Sequence, residues 1–183
     1  MVMFPLFISS IAMWMMIINR LIVFRALNIR DIDRDKAKEC ILNNNLPDMD
    51  KYNGFRAMFV NRFLKRRSGK SDPDRYILDE TVMHMVSSMD RYLVYIGVLA
   101  AVSPLFGLLG TVMGMMATFD IISMFGTGNA KAMAGGISEA LISTQTGLLV
   151  AIPGLYMYNL LLRRADNLKH KIASTGYYLR RFV

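Results

Sequence analysis

Charged residues are missing from long stretches of this sequence, and cysteine and histidine are scarce throughout it. Of the 183 residues, 20% are charged and 54% are hydrophobic. Residues 1–19 carry no charge and residues 92–162 carry three charges, whereas residues 20–91 carry 26. A surface helix of a soluble protein needs a polar face, so these stretches exclude a soluble globular enzyme, and their hydrophobicity excludes a disordered chain. The sequence predicts an all-α integral membrane protein.

The scarcity of reactive side chains excludes most kinds of catalytic or metal site. Cys40 is the single cysteine, and neither His84 nor His170 has sequence neighbours that could complete a coordination set. No nucleophile–base pair and no phosphate-binding loop can be assembled from the remaining residues. We therefore expect no enzymatic activity, no metal and no cofactor.

Three apolar stretches are long enough to cross a bilayer, whose core of about 30 Å needs about 20 helical residues. Basic residues follow the first stretch rather than precede it, so we expect it to stay as a membrane span and not to be removed as a signal peptide. The predicted transmembrane helices are residues 1–24, 92–122 and 135–162. The turn between the last two is marked by Gly126, Gly128, Gly135 and Gly136.

The distribution of basic residues predicts the orientation of these spans. Residues 25–91 and the tail 163–183 are rich in Lys and Arg, whereas the turn 123–134 contains a single Lys. Basic loops remain in the cytoplasm, so we expect a periplasmic N-terminus and hairpin, and a cytoplasmic loop and C-terminus. This bias, together with contact to anionic lipid, explains the net charge of +8 without a nucleic-acid partner.

Two heptad-like stripes predict that the second and third spans continue as helices beyond the lipid. No Pro or Gly interrupts residues 74–96, so we expect one helix from an N-cap at Asp72–Pro73 into the second span. With shorter amphipathic helices at about 31–44 and 52–67, the two extensions would form a cytoplasmic helical bundle. The stripes are Leu78, Val82, Met85, Met89, Tyr92 and Ile96, and Leu161, Ala165, Leu168, Ile172, Thr175, Leu179 and Phe182.

Small residues form a second kind of stripe, inside the predicted spans. In lipid, small side chains let helix backbones approach closely, so a helix-packing seam is one interpretation. The other is a narrow pore wall on which Thr hydroxyls are the polar groups, and both hold if several copies pack around an axis. The stripes are Gly107, Thr111, Gly114 and Thr118 on the second span, and Gly136, Ala140, Thr144, Gly147, Ala151 and Gly154 on the third.

Two carboxylates lie near the predicted outer ends of the spans. Ionisable groups at membrane depth are functional candidates, so Glu139 and Asp120 are either part of an ion path or interfacial residues bonded to the hairpin or to Lys131. No acidic residue occupies the middle of a span. A proton channel built on this chain would therefore need a carboxylate from a partner.

Two sequence runs closely resemble the ExbB/TolQ branch of the MotA/TolQ/ExbB proton channel family. They are SPLFGLLGTVMGMMATF at residues 103–119 and GGISEALISTQTGLLVAIPG at residues 135–154. The resemblance implies a pentamer in the bacterial inner membrane around the single-span helices of an ExbD/TolR-type partner that carries the proton-binding Asp. It also implies that Thr111 and Thr144 line the pore and that Glu139 matches the Glu of the third span in this family.

The resemblance leaves three functions to be weighed. An ExbB-like motor subunit would use proton flow to energise TonB-dependent transport, and a TolQ-like subunit would act on a TolA-like protein to maintain the envelope. A structural scaffold would use the small-residue stripes for packing alone. Two features depart from the family pattern: a first span that starts almost at residue 1, and Asp120 where an uncharged or amide residue is expected.

Overall fold

The protein is all-α, as predicted. The computed structural model describes residues 3–29, 31–48, 52, 54–126 and 130–183, apart from the side chain of residue 132. Helix makes up 89% of the structure, and no strand occurs among the residues described. In the described ranges, six α-helices follow one another and a short 3₁₀ helix, Arg180–Phe182, comes last: α1 (Met3–Ile29), α2 (Arg34–Leu42), α3 (Phe55–Arg66), α4 (Ser71–Met89), α5 (Leu93–Phe125) and α6 (Ala130–Leu179).

Three helical segments are long and apolar enough to cross a membrane, and this confirms the predicted fold class. They are Met3–Ile29, Ser71–Phe125 and Met133–Phe182. The short helices α2 and α3 occupy less of the chain than the predicted 31–44 and 52–67, because Asp33 and Gly54 precede their first turns as extended N-cap residues.

The chain divides into two compact units. The hairpin unit contains Met1–Ile18 and Tyr92–Leu160, and thus the first part of α1, the whole of α5 and the first part of α6. The bundle unit contains Asn19–Arg91 and Leu161–Val183, and thus the end of α1, helices α2 to α4 and the end of α6.

The core of the bundle unit follows the predicted heptad-like spacing. Along α6, the predicted stripe from Leu161 to Leu179 is buried, and only its last member, Phe182, is partly exposed. Helix α3 contributes Phe55, Phe59 and Phe63, which are spaced four residues apart and are each at most 2% exposed. Such large apolar side chains supply most of the hydrophobic stabilisation of a water-exposed bundle.

The start of α4 differs from the prediction, because Asp74 and not Asp72 satisfies the backbone there. Helix α4 begins at Ser71, and its N-cap, Lys70, makes no side-chain hydrogen bond. The buried Asp74 carboxylate instead accepts from the backbone N–H groups of Ser68 (2.7 Å) and Gly69 (3.2 Å) and from Arg67 Nε (3.1 Å). Burial raises the pKa of Asp74, but these hydrogen bonds outweigh burial and hold the pKa below its usual value.

The predicted continuous helix through residues 74–96 is wrong, because the chain breaks between α4 and α5. Helix α4 ends at Met89, and Tyr92 has the left-handed φ of 67°. The last turn of α4 contains serines, which are weak helix formers, and the carbonyl of Ser88 accepts a partly buried bond from the Arg20 guanidinium at 3.4 Å. A cation at the carbonyl end of a helix stabilises that end. The spacing of apolar residues does not predict this contact between Arg20 and Ser88.

The turn between α5 and α6 is shorter than the predicted hairpin. Helix α5 continues to Phe125 and ends at Gly126, whose φ of 65° suits a glycine. Helix α6 begins at Ala130, so Gly135 and Gly136 belong to the helix and do not form the turn. Residues 127–129, in the middle of the predicted hairpin 123–134, lie outside the described residues.

Candidate functional site on the α5–α6 hairpin

Helices α5 and α6 approach each other so closely that their backbones are in contact. A Cβ atom added to Gly147 would lie 2.9 Å from the carbonyl oxygen of Ser103 and 3.0 Å from Cα of Gly107. A Cβ atom added to Gly107 would lie 3.1 Å from the carbonyl oxygen of Ser143. These neighbours are backbone atoms that cannot rotate away, so the absence of a side chain is what permits this approach.

The two small-residue stripes face each other in a regular antiparallel register. Gly107 meets Gly147, Gly114 meets Ala140, and Thr118 meets Gly136. Each step of seven or four residues along α5 is matched by an equal step backwards along α6. Ala151, a further member of the α6 stripe, is also buried, at 2% exposure. Within one chain, therefore, the stripes form a helix-packing seam.

The hydroxyls of Thr111, on α5, and Thr144, on α6, both bond to the same turn of α5. The Thr144 hydroxyl donates to the Gly107 carbonyl at 3.3 Å, across the seam, and the Thr111 hydroxyl donates to the Leu108 carbonyl at 2.6 Å. Both side chains are partly exposed. Since a hydroxyl that donates one bond keeps its oxygen lone pairs, each can still accept a hydrogen bond from another group. The two threonines thus offer neighbouring acceptors at the edge of the seam.

Glu139 lines a groove that includes neither of the two threonines. The groove has a volume of about 420 Å³, and its other lining residues include Met3 of α1, Gly110 and Met113 of α5, and Ile142 of α6. The Glu139 side chain is exposed, as is that of Asp120. Among the residues that the structure describes, neither carboxylate forms a hydrogen bond or an ion pair, so the expected bond to Lys131 is not formed. Of the three predicted ion-path residues, Thr111 and Thr144 bond to neighbouring carbonyls of α5, whereas Glu139, within the described ranges, makes no such bond.

Two serines at the seam were not singled out from the sequence. Ser103 and Ser143 are 1% and 6% exposed, and their hydroxyls donate to the carbonyls of Leu99 (2.8 Å) and Ala140 (2.7 Å). The signal that could have found them is the stripe spacing itself. Ser103 precedes Gly107 by four residues, and Ser143 follows Ala140 by three, so both extend or fill the predicted stripes.

Comparison with known proteins places these helices inside a recognised sequence family. The family described as the MotA/TolQ/ExbB proton channel family matches residues 51–174 of the chain. This stretch includes α3, α4, α5 and most of α6.

Individual relatives show the same similarity. The biopolymer transport protein ExbB of Salmonella typhimurium is 36% identical over 109 residues, which are 60% of this chain and 42% of that protein. The ExbB of Aquifex aeolicus is 35% identical over 108 residues, 59% of this chain and 70% of that protein. The Tol-Pal system protein TolQ of Haemophilus influenzae is 38% identical over 81 residues, 44% of this chain and 36% of that protein. The chain thus matches less than half the length of the Salmonella relative.

Proposed function

The chain belongs to the MotA/TolQ/ExbB proton channel family, and from this premise we propose that it is an ExbB-like subunit of a motor driven by the proton gradient. Its similarity to ExbB and TolQ proteins places it in that branch, among multi-pass proteins of the inner membrane. The proposed motor energises TonB-dependent transport across the outer membrane. Similarity to proteins named for biopolymer transport supports this role.

The observation that carries the proposal is that the Thr111 and Thr144 hydroxyls, from two different helices, bond to neighbouring carbonyls on one turn of α5. In a ring of subunits, proposed to be a pentamer, this turn would repeat around a central axis. The proton-binding carboxylate would come from a single-span ExbD/TolR-like partner in the pore, since no acidic residue occupies the middle of the spans. Hydroxyls that both donate and accept are suited to surround such a carboxylate.

The proposed topology follows the charge bias of the loops. The N-terminus and the α5–α6 turn face the periplasm, whereas residues 25–91 and the tail 163–183 face the cytoplasm, because these two segments hold most of the basic residues. Labelling of native Cys40 by an impermeant maleimide in intact spheroplasts would contradict this orientation, because Cys40 would then be periplasmic.

The proposal is tested by removing the hydroxyls while keeping the shape of the side chains. We expect Thr111→Val with Thr144→Val to abolish growth on a TonB-dependent iron source in a strain that relies on this protein. Removing the hydroxyls would leave polar groups of the desolvated proton path without partners, at a free-energy cost of about 1–3 kcal/mol for each group. Co-purification with the single-span partner should persist. Thr146→Val is the matched control, because its hydroxyl bonds Ile142 within α6, outside the seam.

Full growth of the double valine variant would reduce the two threonines to packing residues and favour a structural scaffold. Glu139→Gln should impair growth less than the double variant, because Glu139 faces a groove that neither threonine lines. An equal loss in Glu139→Gln would place that carboxylate in the proton path.

A TolQ-like role is the second candidate, and it is favoured by the 38% identity with the Haemophilus influenzae TolQ. The two roles predict different phenotypes when the gene is deleted. Loss of TonB-dependent iron uptake with an intact envelope supports the ExbB-like role. Detergent sensitivity with normal iron uptake supports the TolQ-like role, in which the subunit acts on a TolA-like protein.

A further inference from the structure

The bundle unit contains a basic groove that the proposed function does not use. The groove has a volume of about 460 Å³ and lies between the C-terminal end of α1 and the part of α6 that belongs to the bundle unit. Each helix contributes residues spaced by about one turn, so a single face of each forms a wall. The lining residues are Phe24, Arg25, Asn28 and Ile29 of α1, and Arg164, Asn167, Leu168 and Lys171 of α6.

The lining of this groove combines cations and amides over an apolar floor. Phe24 and Leu168 are 3% and 5% exposed and form the floor, whereas the two arginines and Lys171 are exposed at the rim. Lys171 Nζ donates to Asn28 Oδ1 at 3.0 Å and so links the two walls. Asn28 therefore lines the groove with its Oδ1 already bonded to Lys171. No carboxylate is among the lining residues.

The two arginines of the groove lack the partners that other basic residues of the same unit have. In the described part of the chain, Arg25 and Arg164 make no ion pair and no hydrogen bond. By contrast, Arg67 is paired with Asp74 at 3.1 Å and Lys169 with Asp90 at 2.6 Å. Guanidinium groups are the side chains best suited to bind phosphate oxygens in bidentate fashion. The groove therefore has unused capacity for a phosphate group.

The position of the arginines along the chain indicates the source of that phosphate. Arg25 directly follows the apolar residues 21–24 of α1, and Arg164 lies two residues after the uncharged stretch 140–162 of α6. Both cations thus come where membrane-spanning segments leave the hydrocarbon, at the level of lipid headgroups. Ile22 and Ile29, which are 63% and 64% exposed, provide apolar surface on the same part of α1. We propose that the groove binds the phosphate of an anionic phospholipid headgroup.

Native mass spectrometry of the purified full chain tests this site. The protein in detergent is titrated with phosphatidylglycerol or with zwitterionic phosphatidylcholine, and the bound lipid is counted. We expect preferential retention of phosphatidylglycerol, and about 30-fold weaker retention in Arg25→Gln with Arg164→Gln, from the loss of two interfacial cations. Arg25→Lys with Arg164→Lys should largely restore it. Equal retention of the two lipids by the unmodified chain would overturn the proposal.

The control and a second measurement separate this site from general charge effects. Arg75→Gln with Arg181→Gln removes the same charge from exposed positions outside the groove and should retain phosphatidylglycerol as the unmodified chain does. A loss equal to that of the groove variant would overturn the site. Inorganic phosphate is tested on the melting temperature of the lipid-free protein. A saturable rise that the groove variant lacks, without lipid retention, would assign the groove to a soluble phosphate and overturn the lipid source.

Discussion

The hairpin unit and the bundle unit are each stabilised internally by a different kind of contact. In the hairpin unit, α5 and α6 meet through Gly107, Gly147 and other small residues whose backbones touch. In the bundle unit, large side chains such as Phe59 fill the interior. The six ion pairs found among the described residues all lie in the bundle unit. Lipid offers no hydrophobic drive between helices, so close backbone contact replaces it, whereas water drives burial of large apolar groups.

The two units differ in their carboxylates but not in their buried hydroxyls, since Thr81 and Thr175 of the bundle unit also donate to carbonyls four residues back. In the hairpin unit, the hydroxyls of Ser103, Thr118 and Ser143 donate to carbonyls three or four residues back on their own helices. Such local bonds satisfy a hydroxyl without a partner from another helix. In the bundle unit, Asp74 is bound by the loop before α4, and Asp31 accepts from the N–H of Arg56 in α3 at 2.9 Å. These two carboxylates connect separate segments, so removing either one should destabilise more than its own helix.

The largest expected effect comes from emptying the core of the bundle unit. Phe59→Ala should lower the free energy of unfolding by about 3–5 kcal/mol, because the buried ring is replaced by a cavity. The neighbouring Met58 is 42% exposed, so Met58→Ala should cost much less. Thermal unfolding followed by circular dichroism in detergent measures both. If both variants lowered the melting temperature by a similar small amount, burial of large side chains would not be what stabilises this unit.

The next effect comes from adding a side chain where the hairpin helices touch. Gly147→Val should destabilise the hairpin by about 1–3 kcal/mol, because its Cβ would meet backbone atoms of Ser103 and Gly107. Gly135→Val is the matched control, since a Cβ there meets nothing within 4 Å. The same melting experiment in detergent separates the two. If both valines were equally tolerated, close backbone packing would not stabilise the hairpin unit.

A smaller effect, on pH dependence, concerns the buried carboxylates of the bundle unit. Burial raises the pKa of Asp74, but its hydrogen bonds lower the pKa by more than burial raises it, so the pKa is below the usual 3.8. The charged form of Asp74 therefore stabilises the fold above that value, and this stability is lost as pH falls through the lowered pKa. Between about pH 5 and 3, the melting temperature should fall more steeply in the unmodified chain than in Asp74→Asn.

Asp31 provides the control for this pH dependence, because its pKa moves the other way. Burial raises the pKa of Asp31 more than the bonds from Arg56 and Ile32 lower it. The stability that Asp31 contributes is present below 3.8 and is lost as pH rises through the raised pKa. In Asp31→Asn, the melting temperature should therefore fall more steeply on acidification than in the unmodified chain. If the melting temperature fell less steeply in both variants than in the unmodified chain, the two pKa shifts would not have opposite directions.

The sequence predicted those parts of the molecule that depend on side-chain spacing. Apolar run length identified the three long helices, and the alternation of four and three residues identified the buried face of α6 from Leu161 to Leu179. The small-residue stripes identified the surfaces on which α5 and α6 meet. The bond from Thr144 to the α5 turn that precedes Thr111 agrees with the same stripes, because stripe members on antiparallel helices meet at a fixed register.

The features that were not predicted depend on single tertiary contacts. The placement of Glu139 in a groove that neither threonine lines depends on the rotation of α6 against α5, which helix periodicity gives only approximately. The role of Asp74 depends on a loop folding back over it. The break after Met89 depends on Arg20 reaching the Ser88 carbonyl from another helix. None of these contacts leaves a spacing pattern in the chain.

The smallest expected effect tests that break directly, at the residue where the bundle unit ends and the hairpin unit begins. Tyr92→Ala and Tyr92→Gly both remove the side chain, so they differ only in backbone preference. In a continuous helix, alanine would be the more stable of the two by about 1 kcal/mol. At the observed φ of 67°, glycine should instead be more stable by about 1 kcal/mol, because a Cβ disfavours the left-handed conformation. Melting temperatures of the two variants in detergent decide between these outcomes. A higher melting temperature for alanine would restore the single helix through residues 74–96.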